Sequence, residues 1–321
     1  MRESLRFEAA MLPDAGHRDD LSRECWLFPG LGCRHVGMGH DLFGRPGITQ
    51  RMFRLAEEML GYHLAPICLE GSGRKVVPPR QEAQIIYVLN CAYAAALGEL
   101  GHRAQAVLGH SLGSWAAAWA AGTFDFLTGL ELVTHVERLF EELVDDRQLC
   151  MGSMIGLHES TVQSEVAKYP GVSVANYNSP NQFVVGGPAS EVDRVLDAAS
   201  ALGAKQAKRL PTSRAVHTPW MEAVSQQLTR RLELVTWSDP QVPFVTCDNA
   251  EQLATGKAVQ QFFSIFLTRP VRWETSFCRL RQIRSSQFLE VGPGTLLMNL
   301  ASFIDPVAVV RTASDVLDVA P

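Results

Sequence analysis

The sequence predicts an α/β protein, a parallel sheet flanked by helices and interrupted by a small βαββαβ unit. Three observations predict it. First, a short apolar strand runs into a glycine-bearing turn twice, at residues 25–32 and again at 106–113, among helix-spaced segments. Second, residues 152–210 change order to strand, helix, two strands, helix, strand, the split pattern of a ferredoxin-like unit. Third, helical spacing returns from Pro219 (Met221, Val224, Leu228, Leu232), followed by strand-like segments at 244–246 and 288–291.

The elements follow in order. Residues 25–29 form an apolar strand ending at Gly30-Leu31-Gly32, and 53–60 have helical spacing. Residues 84–100 read as a strongly apolar helix through Ile85, Ile86, Val88, Leu89, Ala92, Ala96 and Leu97. Residues 106–108 are a brief buried strand, and a helix of small residues begins after Gly113. In the small unit the strands are 152–157, 172–175, 183–186 and 204–210, and the helices 160–168 and 190–202. The expected organisation is therefore a polar leader at 1–23, a large subdomain from 24–150 and 218–321, and a small subdomain at 151–217.

Composition narrows the function classes. The chain has 321 residues, 46% hydrophobic and 20% charged, with a net charge of −5. That much apolar surface offsets the entropy of ordering, so disorder is excluded. Acidic residues outnumber basic ones and no basic run occurs, which argues against a nucleic-acid partner. No uninterrupted apolar stretch reaches the roughly 18 residues of a membrane span, and the first 24 residues lack the apolar core of a secretion signal. The seven cysteines are scattered without a CxxC pair, which fits buried thiols in a reducing cytoplasm and no metal site.

The chemistry concentrates at Gly109-His110-Ser111-Leu112-Gly113, a G-x-S-x-G turn between strand and helix. Such a turn holds a serine hydroxyl out above the sheet, with a helix N-terminus behind it. Serine is a weak nucleophile and needs a base within hydrogen-bond reach. His110 is adjacent but should point elsewhere, which leaves His135, His158 and His217 downstream. An α/β-hydrolase places its histidine last and carries an HGGG-type loop. Here about a hundred residues follow His217 and that loop is missing.

Five motifs together resemble the malonyl-CoA:acyl-carrier-protein transacylase family, which includes the acyltransferase domains of polyketide synthases. They are Phe28-Pro29-Gly30-Leu31-Gly32, the elbow at Ser111, Asn176-Tyr177-Asn178-Ser179-Pro180-Asn181-Gln182, Ala215-Val216-His217-Thr218-Pro219-Trp220-Met221, and Glu290-Val291-Gly292-Pro293-Gly294, in family order. The resemblance implies a hydrolase-like core with a ferredoxin-like insert. It implies Ser111 as nucleophile and His217 as base, oriented by the backbone carbonyl of Phe266 rather than by an acid. It implies an oxyanion hole from the backbone N–H groups of Leu31 and Leu112, each donor contributing about 3–4 kcal/mol to the transition state. Gln84, Asn178, His110 and Val136 are expected around the substrate. No bound cofactor is implied; coenzyme A or the phosphopantetheine arm of an acyl carrier protein is substrate.

One departure matters. The family's malonyl enzymes bind the substrate carboxylate with an arginine on the helix after the elbow helix. Counted without gaps, that slot holds Val136. Arg138 lies about 200° further round the helix. A buried carboxylate without its partner costs about 3–5 kcal/mol, which disfavours malonyl groups. The expectation is a free-standing, ping-pong acyltransferase in polyketide or antibiotic biosynthesis that moves an uncharged acyl group between a thioester donor and an acyl carrier protein. The alternatives are a hydrolase that clears carrier proteins, an ordinary malonyl transacylase if Arg138 takes the slot, and a non-catalytic carrier-binding module, disfavoured because Ser111 and His217 are both present. The acidic carrier protein calls for a basic rim, with Lys205, Lys208, Arg209 and Arg214, or Arg279, Arg281 and Arg284, as docking candidates.

Overall fold

The computed structural model describes residues 23–70, 77–144, 148–283 and 287–319. The expected leader therefore lies outside the described residues, except that Arg23 opens the first strand. Among the described residues there are ten strands: β1 (Arg23–Phe28), β2 (Arg103–Gly109), β3 (Leu149–Ile155), β4 (Ser173–Ser179), β5 (Gln182–Pro188), β6 (Gln206–Arg209), β7 (Phe244–Val245), β8 (Gln252–Leu253), β9 (Gln287–Glu290) and β10 (Val309–Thr312).

Six of them form one sheet in the order β10-β9-β1-β2-β7-β8. Every pairing is parallel except β7 with β8, a two-residue antiparallel edge. The centre of the sheet is covered on both faces, which is why residues 25–28 read as an unbroken apolar run and are all buried. Neither edge strand is foreseen in the sequence. β8 is too short to leave a pattern, and β10 exposes Val309 at the margin of the sheet.

Helix Pro79–Glu99 is buried continuously from Ala83 to Gly98, as an all-round apolar helix should be. It starts five residues before the expected Gln84, because proline fits the first turn, where its missing N–H is not needed. Helix Phe126–Leu143 begins at Asp125, whose carboxylate accepts the Thr128 N–H at 2.9 Å.

The other four strands form an antiparallel sheet in the order β4-β5-β3-β6. Side chains alternate along its strands. Cys150, Met154, Phe183 and Val185 face helices Glu159–Val166 and Ala189–Ala201 and join Val162, Val192, Val195 and Leu196 in a core of their own. Met151, Ala175 and Val184 pack on the other side. Through β4 this sheet is bonded to the segment that precedes helix Trp273–Ile283. Tyr177 N–H donates to the Val271 carbonyl and Val271 N–H to the Ala175 carbonyl, both at 2.8 Å.

Candidate active site

The elbow follows β2 directly. Ser111 has φ 51°, left-handed backbone that costs energy for any residue with a Cβ and turns the side chain out of the sheet. Close packing holds it there. A Cβ on Gly113 would sit 2.1 Å from the Phe28 carbonyl oxygen, and one on Gly30 would sit 2.5 Å from the His110 carbonyl oxygen. The turn after β1 therefore lies directly against the turn after β2. Behind the elbow, Trp115 of helix Gly113–Ala120 stacks on Phe263 at 3.8 Å between centroids and meets Phe266 edge-on.

His217 also has left-handed backbone, φ 65°, and its ring is buried. Its Nδ1 lies 3.0 Å from the Phe266 carbonyl oxygen and 3.2 Å from that of Arg269. Carbonyls only accept, so Nδ1 carries the proton and Nε2 presents a lone pair. Ser111 Oγ lies 2.8 Å from that Nε2 and donates to it. Burial lowers the imidazole pKa to about 4. The Phe266 carbonyl opposes that fall, nearby His110 adds to it, and the Arg269 carbonyl opposes it. The ring is neutral at neutral pH, as a proton acceptor must be.

Leu112 follows Ser111 and Leu31 follows Gly30, and neither backbone N–H has a backbone acceptor among the described residues. Leu31 stands in the turn packed on the elbow, and its side chain is 46% exposed. His110 turns away from Ser111: its Nε2–H donates to Asn178 Oδ1 at 2.9 Å, which ties the elbow to β4. Val136 is buried in the main core.

Other candidates fall elsewhere. Gln84 accepts from Tyr62 Oη and donates to Thr134 Oγ1, each at 2.9 Å. It lines a cleft of about 1100 Å³ with Thr134, His135 and Arg138, a cleft that neither Ser111 nor His217 lines. Burial lowers the His135 pKa, and the Arg231 and Arg138 charges add to the shift, which disfavours a charged imidazole there.

Arg214 corrects its expected place on the docking rim. Its side chain is only 12% exposed, and its guanidinium pairs with Glu137 and lies 4.7 Å over the Phe140 ring. Arg209 pairs with Asp193 and Arg281 with Asp305, while Lys205, Lys208 and Arg279 are exposed. Arg284 lies outside the described residues. Two groups escaped the sequence reading. The Arg269 carbonyl has no residue-type signature. Glu137 had one, an acidic residue inside the apolar stripe Leu132, Val133, Val136, Leu139, Phe140.

A hydroxyl bonded to an oriented neutral imidazole can attack a thioester carbonyl. That is the equipment of an acyl-transfer enzyme, set on an α/β sheet. The chain belongs to the acyl transferase domain family, whose model matches residues 25–315. It is 30% identical over 278 residues to a malonyl CoA-acyl carrier protein transacylase of Synechocystis sp., covering 87% of this chain and 92% of that one. It is 32% identical over 297 residues to the polyketide biosynthesis protein ThaF of Burkholderia thailandensis, covering 92% of this chain and 25% of that longer protein. A solved complex, PlMCAT:AntF, of a type II PKS acyl-carrier protein with its malonyl-transacylase, matches at TM-score 0.84 and 29% identity, covering 91% of this chain and 95% of that chain. Enzymes of this family act without a bound cofactor.

Proposed function

We propose that the protein moves an uncharged acyl group from a thioester to an acyl carrier protein through an ester on Ser111. Ser111 Oγ attacks the thioester carbonyl while His217 Nε2 takes the hydroxyl proton. The C–O bond forms, the Leu31 and Leu112 N–H groups hold the oxyanion, and the C–S bond breaks. His217 returns the proton to the departing thiolate. The phosphopantetheine thiol of a carrier protein then attacks the ester by the same steps in reverse.

The observation that carries this reading is the Ser111–His217 bond at 2.8 Å, with Nδ1 held by two carbonyls. The identity of the acyl group rests on Val136. Two cations close to it in chain or space are placed otherwise: Arg138 lines the separate cleft and Arg214 is paired with Glu137. A malonyl carboxylate would lack the arginine that the family's malonyl enzymes carry at that slot. The likeness to carrier-protein transacylases and to ThaF supports a carrier protein as partner and polyketide or related biosynthesis as the setting. The same reading takes 24–150 and 218–321 as a hydrolase-like core, 151–217 as a ferredoxin-like insert in agreement with its strand order, and the enzyme as cytoplasmic.

The test is a single-turnover experiment. Isolated acyl-enzyme is mixed with holo carrier protein, and both are weighed by mass spectrometry. The acyl mass is expected on the carrier. Release of free acid in the presence of carrier would assign the protein as a hydrolase instead.

A further inference from the structure

The ion pair between Arg214 and Glu137 is unusual for its position. Arg214 is three residues before His217, so at the extended limit of about 3.3–3.6 Å per residue its Cα lies within about 11 Å of the base. Glu137 follows Val136 directly. The Arg214 side chain is 12% exposed and that of Glu137 4%. Phe140, one turn beyond Val136, lies under the guanidinium at 4.7 Å. A cation and an anion are thus buried together between the helix that carries Val136 and the segment that carries the catalytic histidine.

An apolar pair would fill the same space without removing two charges from water. The chemistry retained is therefore informative. A guanidinium fork recognises a carboxylate, whether that group belongs to a side chain or to a substrate. Burial pushes the Glu137 carboxyl above the usual carboxylate range, Arg214 pulls it down, and Glu141 and Glu82 add to the upward shift. Only the guanidinium favours a charged carboxylate in that place.

We propose that Glu137 is an internal stand-in for a substrate carboxylate, and that by occupying Arg214 it excludes acyl groups with a free carboxylate from Ser111. It acts in two ways. It fills the fork that a malonyl or succinyl carboxylate would need, and it repels a second negative charge. Arg214 and Glu137 are then specificity-determining residues, and the selectivity of the site is set by a pair rather than by Val136 alone. This inference rests on the reading that Ser111 takes uncharged acyl groups.

The test measures acylation of Ser111 by malonyl-CoA and by butyryl-CoA and reads their ratio, in the wild type, E137Q, R214M and the apolar double variant Glu137→Leu/Arg214→Leu. In the wild type, ready acylation by malonyl-CoA would overturn the underlying reading itself. With that reading intact, E137Q is expected to raise the malonyl-to-butyryl ratio at least tenfold, because Arg214 is released. R214M and the double variant should not raise it. A merely structural pair would lower both rates together, leaving the ratio within about twofold of the wild type in E137Q, and that result overturns the inference. If E137Q does not fold, Glu137→Met, which also frees Arg214, is read by the same two outcomes. Acceptance of malonyl by the double variant, which has no guanidinium there, overturns the proposal as well.

Discussion

At the scale of single residues, the site depends on a proton whose position is fixed by backbone. Two carbonyls hold the Nδ1 proton of His217, so the lone pair must face Ser111. The imidazole pKa near 4, depressed chiefly by burial, gives a direct prediction. The rate of Ser111 acylation should stay level from neutral pH down to about 5 and then fall, with half the rate lost near pH 4. A pH profile of acylation in the first turnover checks this. An inflection near the ordinary histidine value of about 6.5 would mean that the ring is solvated in the free enzyme. Linkage gives the matching sign for stability. A histidine with a lowered folded pKa favours the neutral fold, so the stability it contributes is present above about 6.5 and is lost as pH falls towards 4.

The residues legible in the sequence are those whose role is local. Ser111 sits in a pentapeptide that makes its own turn, His217 sits in a motif, and Phe266 is implied by the family resemblance. Gln84 was expected beside the substrate, yet its amide is bonded to Tyr62 and Thr134. Arg214 was read as a surface charge. Its partner Glu137 is 77 residues away in the chain, and no spacing rule reaches that far.

At the scale of elements, the Glu290 motif has a structural explanation. β9 ends at Glu290, whose carboxylate is buried and accepts the N–H groups of Leu297 and Met298 at 2.9 and 2.8 Å. These are first-turn donors of helix Leu296–Ile304, which would otherwise have no acceptor inside the helix. Glu290→Ala should therefore cost about 2 kcal/mol or more in urea unfolding, the cost of leaving buried donors unmet. An unchanged unfolding midpoint would show that water replaces the carboxylate. The elbow helix offers a second check. Trp115→Ala removes the ring stacked on Phe263 and should cost about 3–5 kcal/mol. The central strands and the helices up to residue 232 follow strong apolar periodicity, whereas helices Gly256–Ile265, Trp273–Ile283 and Leu296–Ile304 are not foreseen in the sequence. Nor are β8, whose two residues leave no pattern, and β10, which exposes Val309.

At the scale of the whole molecule, a chain of net charge −5 must still present a basic face if its partner is an acidic carrier protein. The pairings thin the candidates. Arg209 and Arg281 are each neutralised by an aspartate, and exposed Lys205 and Lys208 have no ion-pair partner among the described residues. Lys205→Glu with Lys208→Glu should raise the KM for holo carrier protein several-fold relative to the KM for a small thioester, and Arg209→Ala should change that ratio less. Equal effects in the two variants would move the docking face elsewhere. The change in element order is the whole basis for expecting a break at residue 151 and a return near 218. The bond between β4 and the segment before helix Trp273–Ile283 has no sequence signature, since it consists of backbone bonds between residues 175–177 and Val271.

The most direct measurement of the central claim is the mass of the intact protein after exposure to malonyl-CoA and to a set of uncharged acyl-CoAs. Wild type is expected to gain one uncharged acyl group, to gain no malonyl group, and to lose all labelling in Ser111→Ala. Labelling that persists in Ser111→Ala, or ready labelling of the wild type by malonyl-CoA, would contradict it.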